Sequence, residues 1–295
     1  MLFRSLGSWF AAAALAVSAL PVWADNTLPP TALQLAVNTH QDSAPSLYSH
    51  AALVISGLTG ETLYQKNAQA VTPIASITKL MTAMVTLDAG LPLDQAITVT
   101  DAEIDRLKGT SSRLAVGTTL SRREMLLLAL MSSENRAAAS LARTYPGGTA
   151  AFVAQMNRKA RQLGMQNARF YDATGLNSGN QATALDLARM VHAASQYPLI
   201  RQFSTTASHD VWVSDTRQLH YKNSNALVRE GEWQIGLSKT GYIQEAGRCL
   251  VMQATVGSTP LIIVLLAANA TSARIEDAKQ LRSWLEDLPQ TWLAG

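Results

Sequence analysis

The feature that most constrains this chain is the order of its textures: a β-prone beginning, a long helical middle, a β-prone later section and one last amphipathic stretch. Residues 51–56 and 62–65 are short apolar or β-prone runs around Gly57-Leu58-Thr59-Gly60, which reads as a hairpin opening a sheet. A helix follows, with Thr72 as its expected cap, Pro73 in its first turn, apolar residues recurring from Leu80 to Leu87 and Gly90 as its stop. Ser121 and Glu124 form a capping-box pair ahead of a strongly apolar helix ending at Met131. Helical stretches are expected again at 150–163, closed by Gly164, and at 183–195, opened by the box Thr183-x-x-Asp186. From about Val211 the runs 211–213, 234–240, 249–256 and 261–267 are β-prone and separated by turn formers. Residues 274–288 place Ile275, Leu281, Trp284, Leu285 and Leu288 at near-helical spacing. Strands at both ends with helices between predict an α+β fold: one antiparallel sheet made from both chain ends, flanked by helices, with an all-helical lobe inserted. A cleft between lobe and sheet edge is then the natural site.

Composition narrows the function classes. With 47% hydrophobic and 15% charged residues over 295 positions, the chain can bury a large core. The single cysteine, Cys249, forbids an intrachain disulfide and a thiolate metal cluster, and reads as a small core side chain. The net charge of +3 is not gathered into a dense run, so nucleic acid is not an expected partner. Met1 to Ala24 carries Arg4, an apolar run from Trp9 to Leu20 and the ending Val22-Trp23-Ala24. This is a secretory signal pattern, with cleavage expected after Ala24 and a run shorter than the roughly 20 residues that span a bilayer. Residues 25–49, rich in Thr, Pro, Ser and Asn, read as a flexible leader, and 50–290 as one catalytic domain. No transmembrane segment is expected in the mature chain.

Three short patterns carry chemistry. In Ser76-Ile77-Thr78-Lys79 the i,i+3 spacing puts hydroxyl and ammonium on one helical face. A serine hydroxyl is a weak nucleophile at neutral pH and needs a base, and lysine serves only when burial or a second cation lowers its pKa. The helix start also offers backbone N–H groups to a developing oxyanion. The second pattern, Ser133-Glu134-Asn135, breaks a helical run; Ser133 can relay a proton and Asn135 can hold a substrate amide. Ser178-Gly179-Asn180 competes with it, but reads as part of a polar loop. The third, Lys239-Thr240-Gly241, ends a strand that begins near Ile235. There Lys239 and Thr240 can face a substrate carboxylate, Gly241 allows close backbone approach, and Lys239 is the expected second cation lowering the pKa of Lys79. Each pattern alone has an ordinary structural explanation, as cap, helix boundary or strand end. Their combination in this order is what carries the argument.

On these three motifs, and on residues 73–84, 126–140 and Thr174-Gly175-Leu176, the chain resembles the low-molecular-mass penicillin-binding proteins of the D-alanyl-D-alanine peptidase type, closest to the endopeptidase branch. The resemblance implies that Ser76 becomes acylated, with Lys79 as proton acceptor, Ser133 and Asn135 as the second catalytic motif, and Lys239 with Thr240 as the carboxylate site. It further implies an oxyanion hole of the Ser76 and Tyr242 N–H groups, and no metal or cofactor. The expected partners are peptide cross-links of peptidoglycan, with β-lactams as covalent inhibitors, and the expected location is the periplasm. No Glu-x-x-Leu-Asn segment lies between Asn135 and Lys239, so fast β-lactam hydrolysis is not expected. The stretch after Gly241 has room for two strands and a helix, so neither an extra β-rich domain nor an amphipathic tail is expected. The alternatives are a D-alanyl-D-alanine carboxypeptidase and a non-catalytic wall-binding or β-lactam-sensing module. The motifs do not separate endopeptidase from carboxypeptidase, because both leaving groups present a carboxylate on a D-configured centre. A metal peptidase finds no His-Glu-x-x-His among His40, His50, His192, His209 and His220.

Overall fold

The computed structural model describes residues 44–270 and 272–288. The signal pattern, and most of the leader, lie outside the described residues. Strands β1 (Ala51–Ser56) and β2 (Thr62–Lys66) join β9 (Gln234–Ile243), β10 (Gly247–Val256) and β11 (Thr259–Ala268) in one five-stranded sheet. Its order is β2-β1-β11-β10-β9 and every neighbouring pair is antiparallel. Both ends of the chain therefore build the sheet, and β9 is left as an edge.

Near-continuous apolar runs in these strands follow from cover on both faces. Side chains alternate across a strand. Leu53, Val251, Ile262, Val264 and Leu266 point into the large core shared with the helical lobe, whereas Val54, Leu250, Met252, Ile263 and Leu265 join a second core under the last helix. That helix, α8 (Ala273–Glu286), contributes Ala278, Leu281 and Leu285, all buried. Fully burying each such leucine contributes about 1.5–3 kcal/mol.

The lobe begins with β3 (Thr72–Pro73), a 3-10 turn (Ala75–Ile77) and α1 (Thr78–Asp88). Here the structure corrects the expected cap. Thr72 and Pro73 are not the helix start but a short strand paired with β6 (Gln181–Ala182), and the helix is entered through the 3-10 turn. The pairing holds this backbone extended, so the turn must reverse it sharply at Ala75. Gly90, with φ of 62°, does mark the stop.

A ribbon of β4 (Ala96–Thr98) and β5 (Thr119–Ser121), which the sequence did not announce, precedes α2 (Arg122–Met131). The Ser121 box forms as expected: Ser121 Oγ accepts from Glu124 N, and Ser121 N donates to Glu124 Oε2 at 3.1 Å. Next come α3 (Asn135–Arg143), α4 (Gly148–Gln162), α5 (Ala184–Ala194) with its Thr183 capping box, and α6 (Pro198–Ser204). The run at 211–213 does not enter the main sheet. It belongs to β7 (Ser208–Ser214), which pairs with β8 (Arg217–Lys222) as a separate hairpin, followed by α7 (Ala226–Glu230).

The final residues of the expected leader are held by the fold. Leu47 and Ser49 are buried, and Ser49 donates through both backbone N and Oγ to Asp277 Oδ2 on α8, at 2.7 and 2.6 Å.

Candidate active site

All three motifs meet where the lobe touches the edge strand. Ser76 lies in the 3-10 turn and Lys79 in the first turn of α1, so the i,i+3 spacing brings Lys79 Nζ to 2.9 Å from Ser76 Oγ. Lys79 is fully buried. Its nitrogen also donates to Asn135 Oδ1 and to the Thr174 carbonyl, both at 2.7 Å. Neither oxygen can donate in return, so a neutral amine spends both hydrogens on them and turns its lone pair toward Ser76. Burial is the main cause that lowers the Lys79 pKa to about 7, against the opposing pull of the Asp172 and Glu134 carboxylates.

Ser133 and Asn135 sit in the break between α2 and α3. Ser133 adopts the left-handed conformation, φ 63°, between a helix that ends at Met131 and one that begins at Asn135. Glu134 caps α3 by accepting from Arg136 N and takes a further bond from Ser112 Oγ at 2.6 Å. The Asn135 amide is oriented by its Nδ2 bond to Thr110 Oγ1 at 3.2 Å. The first Ser-x-Asn pattern is thus at the site.

Lys239, Thr240 and Gly241 lie within edge strand β9 and not at its end. Lys239 is buried, and its Nζ donates to the Thr240 carbonyl at 2.8 Å; Thr240 Oγ1 bonds Ser224 Oγ at 2.7 Å. A Cβ built on Gly241 would stand 3.0 Å from the Ile74 carbonyl and 3.1 Å from Ser76 N, so glycine permits the edge strand to lie against the serine turn. Tyr242 follows, its exposed ring covered by the Arg248 guanidinium at 4.4 Å.

One electrostatic expectation needs correction. Burial, not a second cation, dominates the lowering at Lys79. The repulsion is felt at Lys239, which is held well below its ordinary value first by burial, then by Lys79 and Arg274. Arg274, at the start of α8, reaches the Gly241 carbonyl at 3.0 Å.

The loop 172–180, which holds Thr174-Gly175-Leu176 of the resemblance and the competing Ser178-Gly179-Asn180 pattern, is part of the site. Asp172 accepts from Thr174 N, Thr174 Oγ1 and Gly175 N, folding the loop so that the Thr174 carbonyl faces Lys79. Asn180, from the competing Ser-x-Asn pattern, serves to brace this loop. Its Nδ2 bonds Thr78 Oγ1 at 3.0 Å and Asp172 Oδ1 at 2.8 Å, and its carbonyl accepts from Ile74 N. Gly175, at φ 84°, lies so close to Ala75 that a Cβ would come within 2.0 Å of the Ala75 carbonyl. Ala75 itself is in the left-handed region, φ 46°, immediately before Ser76. Such strain is worth about 1–3 kcal/mol and persists only where neighbours impose it.

The peptidase S11 model, described as D-alanyl-D-alanine carboxypeptidase, matches residues 38–270. A D-alanyl-D-alanine endopeptidase of Pseudomonas aeruginosa is 50% identical over 241 residues, covering 81% of this chain and 78% of that protein. The chain belongs to the S11 family of D-alanyl-D-alanine peptidases. Another S11 relative, the D-alanyl-D-alanine endopeptidase of Escherichia coli, is 46% identical over 245 residues, covering 83% of this chain and 79% of the relative. The fold is shared too: the Streptomyces K15 DD-transpeptidase superposes with a TM-score of 0.77 at 29% identity, covering 83% of this chain and 99% of that one. Penicillin-binding protein D2 of Listeria monocytogenes, in its cefotaxime-bound form, gives 0.72 at 28% identity, covering 81% and 98%.

Proposed function

We propose that this S11 peptidase is a serine DD-endopeptidase that hydrolyses D-alanyl cross-links of peptidoglycan through an acyl-enzyme on Ser76. The observation that carries the reading is the 2.9 Å contact between Ser76 Oγ and a buried Lys79 whose other two partners are pure acceptors. Lys79 takes the hydroxyl proton as Ser76 Oγ attacks the D-alanine carbonyl carbon. The oxygen of that carbonyl becomes an oxyanion, received by the N–H groups of Ser76 and Tyr242, a pairing supported by the close approach of Gly241 to the serine turn. Collapse of the tetrahedral intermediate breaks the amide bond, and Ser133 hands a proton to the departing amine while taking one from Lys79, which returns to its neutral form. Lys239 and Thr240 hold the carboxylate of the leaving residue. Water then attacks the ester, giving up its proton to Lys79, and Ser76 Oγ leaves with that proton, returned by Lys79. Asn135 positions Lys79 and presents its amide to the substrate.

The catalytic unit is proposed to occupy residues 50–290 behind a signal segment removed after Ala24, which places it in the periplasm. In support, the curated relatives are bacterial DD-peptidases. β-Lactams are proposed as covalent inhibitors on the same hydroxyl, supported by the cefotaxime-bound Listeria neighbour.

Carboxypeptidase action is the second reading, favoured by the description of the family model. Digestion of purified cross-linked muropeptide dimers decides between them. Release of monomers supports the endopeptidase, and loss of terminal D-alanine alone from pentapeptide stems reverses the ranking.

A further inference from the structure

A cavity of about 590 Å³ opens beside Ser133 and Asn135, walled by Ser112, Arg113, Tyr221 and Lys222 among others, with neither Ser76 nor Lys79 in its lining. It borders the site on the side of Ser133 and Asn135. One wall is the end of β8, and the same chain runs two residues on to Ser224, whose hydroxyl meets Thr240 Oγ1. Ser224 N in turn bonds the carbonyl of Met131, just before Ser133. The cavity thus adjoins Ser133, the group that would protonate the leaving amine, and its Lys222 wall stands two residues before Ser224, the partner of the Thr240 that would hold the leaving carboxylate.

We infer that this cavity is the subsite for the leaving stem peptide of a cross-link, the second peptide attached through its side chain to the cleaved amine. The inference rests on the endopeptidase reading and supplies the residue-level discriminator that the motifs lack. A free D-alanine ends at its carboxylate and would leave the cavity empty. A cross-linked leaving group carries, where D-alanine has its methyl group, a side chain that continues into a peptide of amides and further carboxylates, and about 590 Å³ falls within the ~300–1,000 Å³ typical of ligand sites. The walls suit such a guest. Arg113 and Lys222 bring two exposed cations, whereas the one carboxylate, Glu134, is already engaged by Ser112 and Arg136 N. Arg113 is pre-oriented over the Tyr221 ring at 4.6 Å, with a bond to the His220 carbonyl at 2.6 Å. Tyr221 Oη, buried in the same wall, hydrogen-bonds no protein group among the described residues.

The test compares kcat/KM for a purified muropeptide dimer with that for a monomeric pentapeptide stem, in the wild type and in Arg113→Glu/Lys222→Glu. Reversing both charges should lower the dimer-to-monomer ratio at least about tenfold, the scale of a lost charge-assisted hydrogen bond. Ser111→Trp, which narrows the exposed mouth of the cavity, gives the same readout if the charge variant does not fold. Titration with fluorescent penicillin reports the folded fraction of each. A wild type that cleaves dimers, with variants that keep its ratio, overturns the subsite and leaves the endopeptidase standing. A wild type inactive on dimers overturns both.

Discussion

The surroundings of the two buried lysines differ in one respect that decides their chemistry. Around Lys79 three oxygens stand within 2.9 Å, two of them unable to do anything but accept, and two carboxylates lie close enough to oppose the cost of burial. Around Lys239 there is one carbonyl, from the next residue, and the charged neighbours are cations. The first environment is complete and poised near neutrality, as a proton carrier requires. The second is short of negative charge and is completed by an arriving carboxylate, whose entry would also raise the Lys239 pKa by favouring its charged form. In the proposed reaction one lysine passes a proton and the other waits for an anion.

Replacing Lys79 by Ala should break the contrast most severely. Acylation by fluorescent penicillin is expected to slow about a thousandfold, within the ~10²–10⁴ range attributed to a positioned general base. Gly175→Ala attacks the same side through the backbone, since its Cβ would stand 2.0 Å from the Ala75 carbonyl in a left-handed residue. A loss of about 3 kcal/mol or more in chemical denaturation is expected, against well under 1 kcal/mol for Ala75→Gly, where glycine accepts the same φ.

Lys239→Ala should cost less, about tenfold to a hundredfold in kcat/KM, equivalent to ~1.5–3 kcal/mol for a hydrogen bond to a charged group. The loss should vanish when the terminal carboxylate of the substrate is blocked as an amide, which would not be so for Lys79→Ala. The smallest effect is electrostatic. Glu134→Gln removes a carboxylate that raises the Lys79 pKa, so the acidic limb of acylation against pH, centred near 7 in the wild type, should move to lower pH. A shift upward would mean that Glu134 does not act through Lys79.

Where side-chain alternation and capping rules apply, the fold was legible in the sequence. The capping boxes at Ser121 and Thr183, the stop at Gly90 and the strands of both chain ends all follow from local chemistry. Thr72 and Pro73 misled because a two-residue pairing with Gln181 and Ala182 outweighed a good helix-start signal. The three motifs found the side chains that meet at the site. They could not find Thr174, whose contribution is a carbonyl oxygen and so independent of residue type, nor Asp172 and Asn180, which act by folding the loop that aims it. The Asp-x-Thr-Gly spacing of a tight turn was the available signal. Arg274 lies on an amphipathic helix, and only the packing of α8 against β10 and β11 reveals its reach to Gly241.

The central claim is that the hydroxyl beside Lys79 is the one that becomes acylated. Peptide mapping by mass spectrometry of the full chain after penicillin treatment tests it directly. A single adduct on the peptide containing Ser76, absent from folded Ser76→Ala, is the predicted result; an adduct on Ser133 or on another residue, or labelling that survives Ser76→Ala, would contradict it.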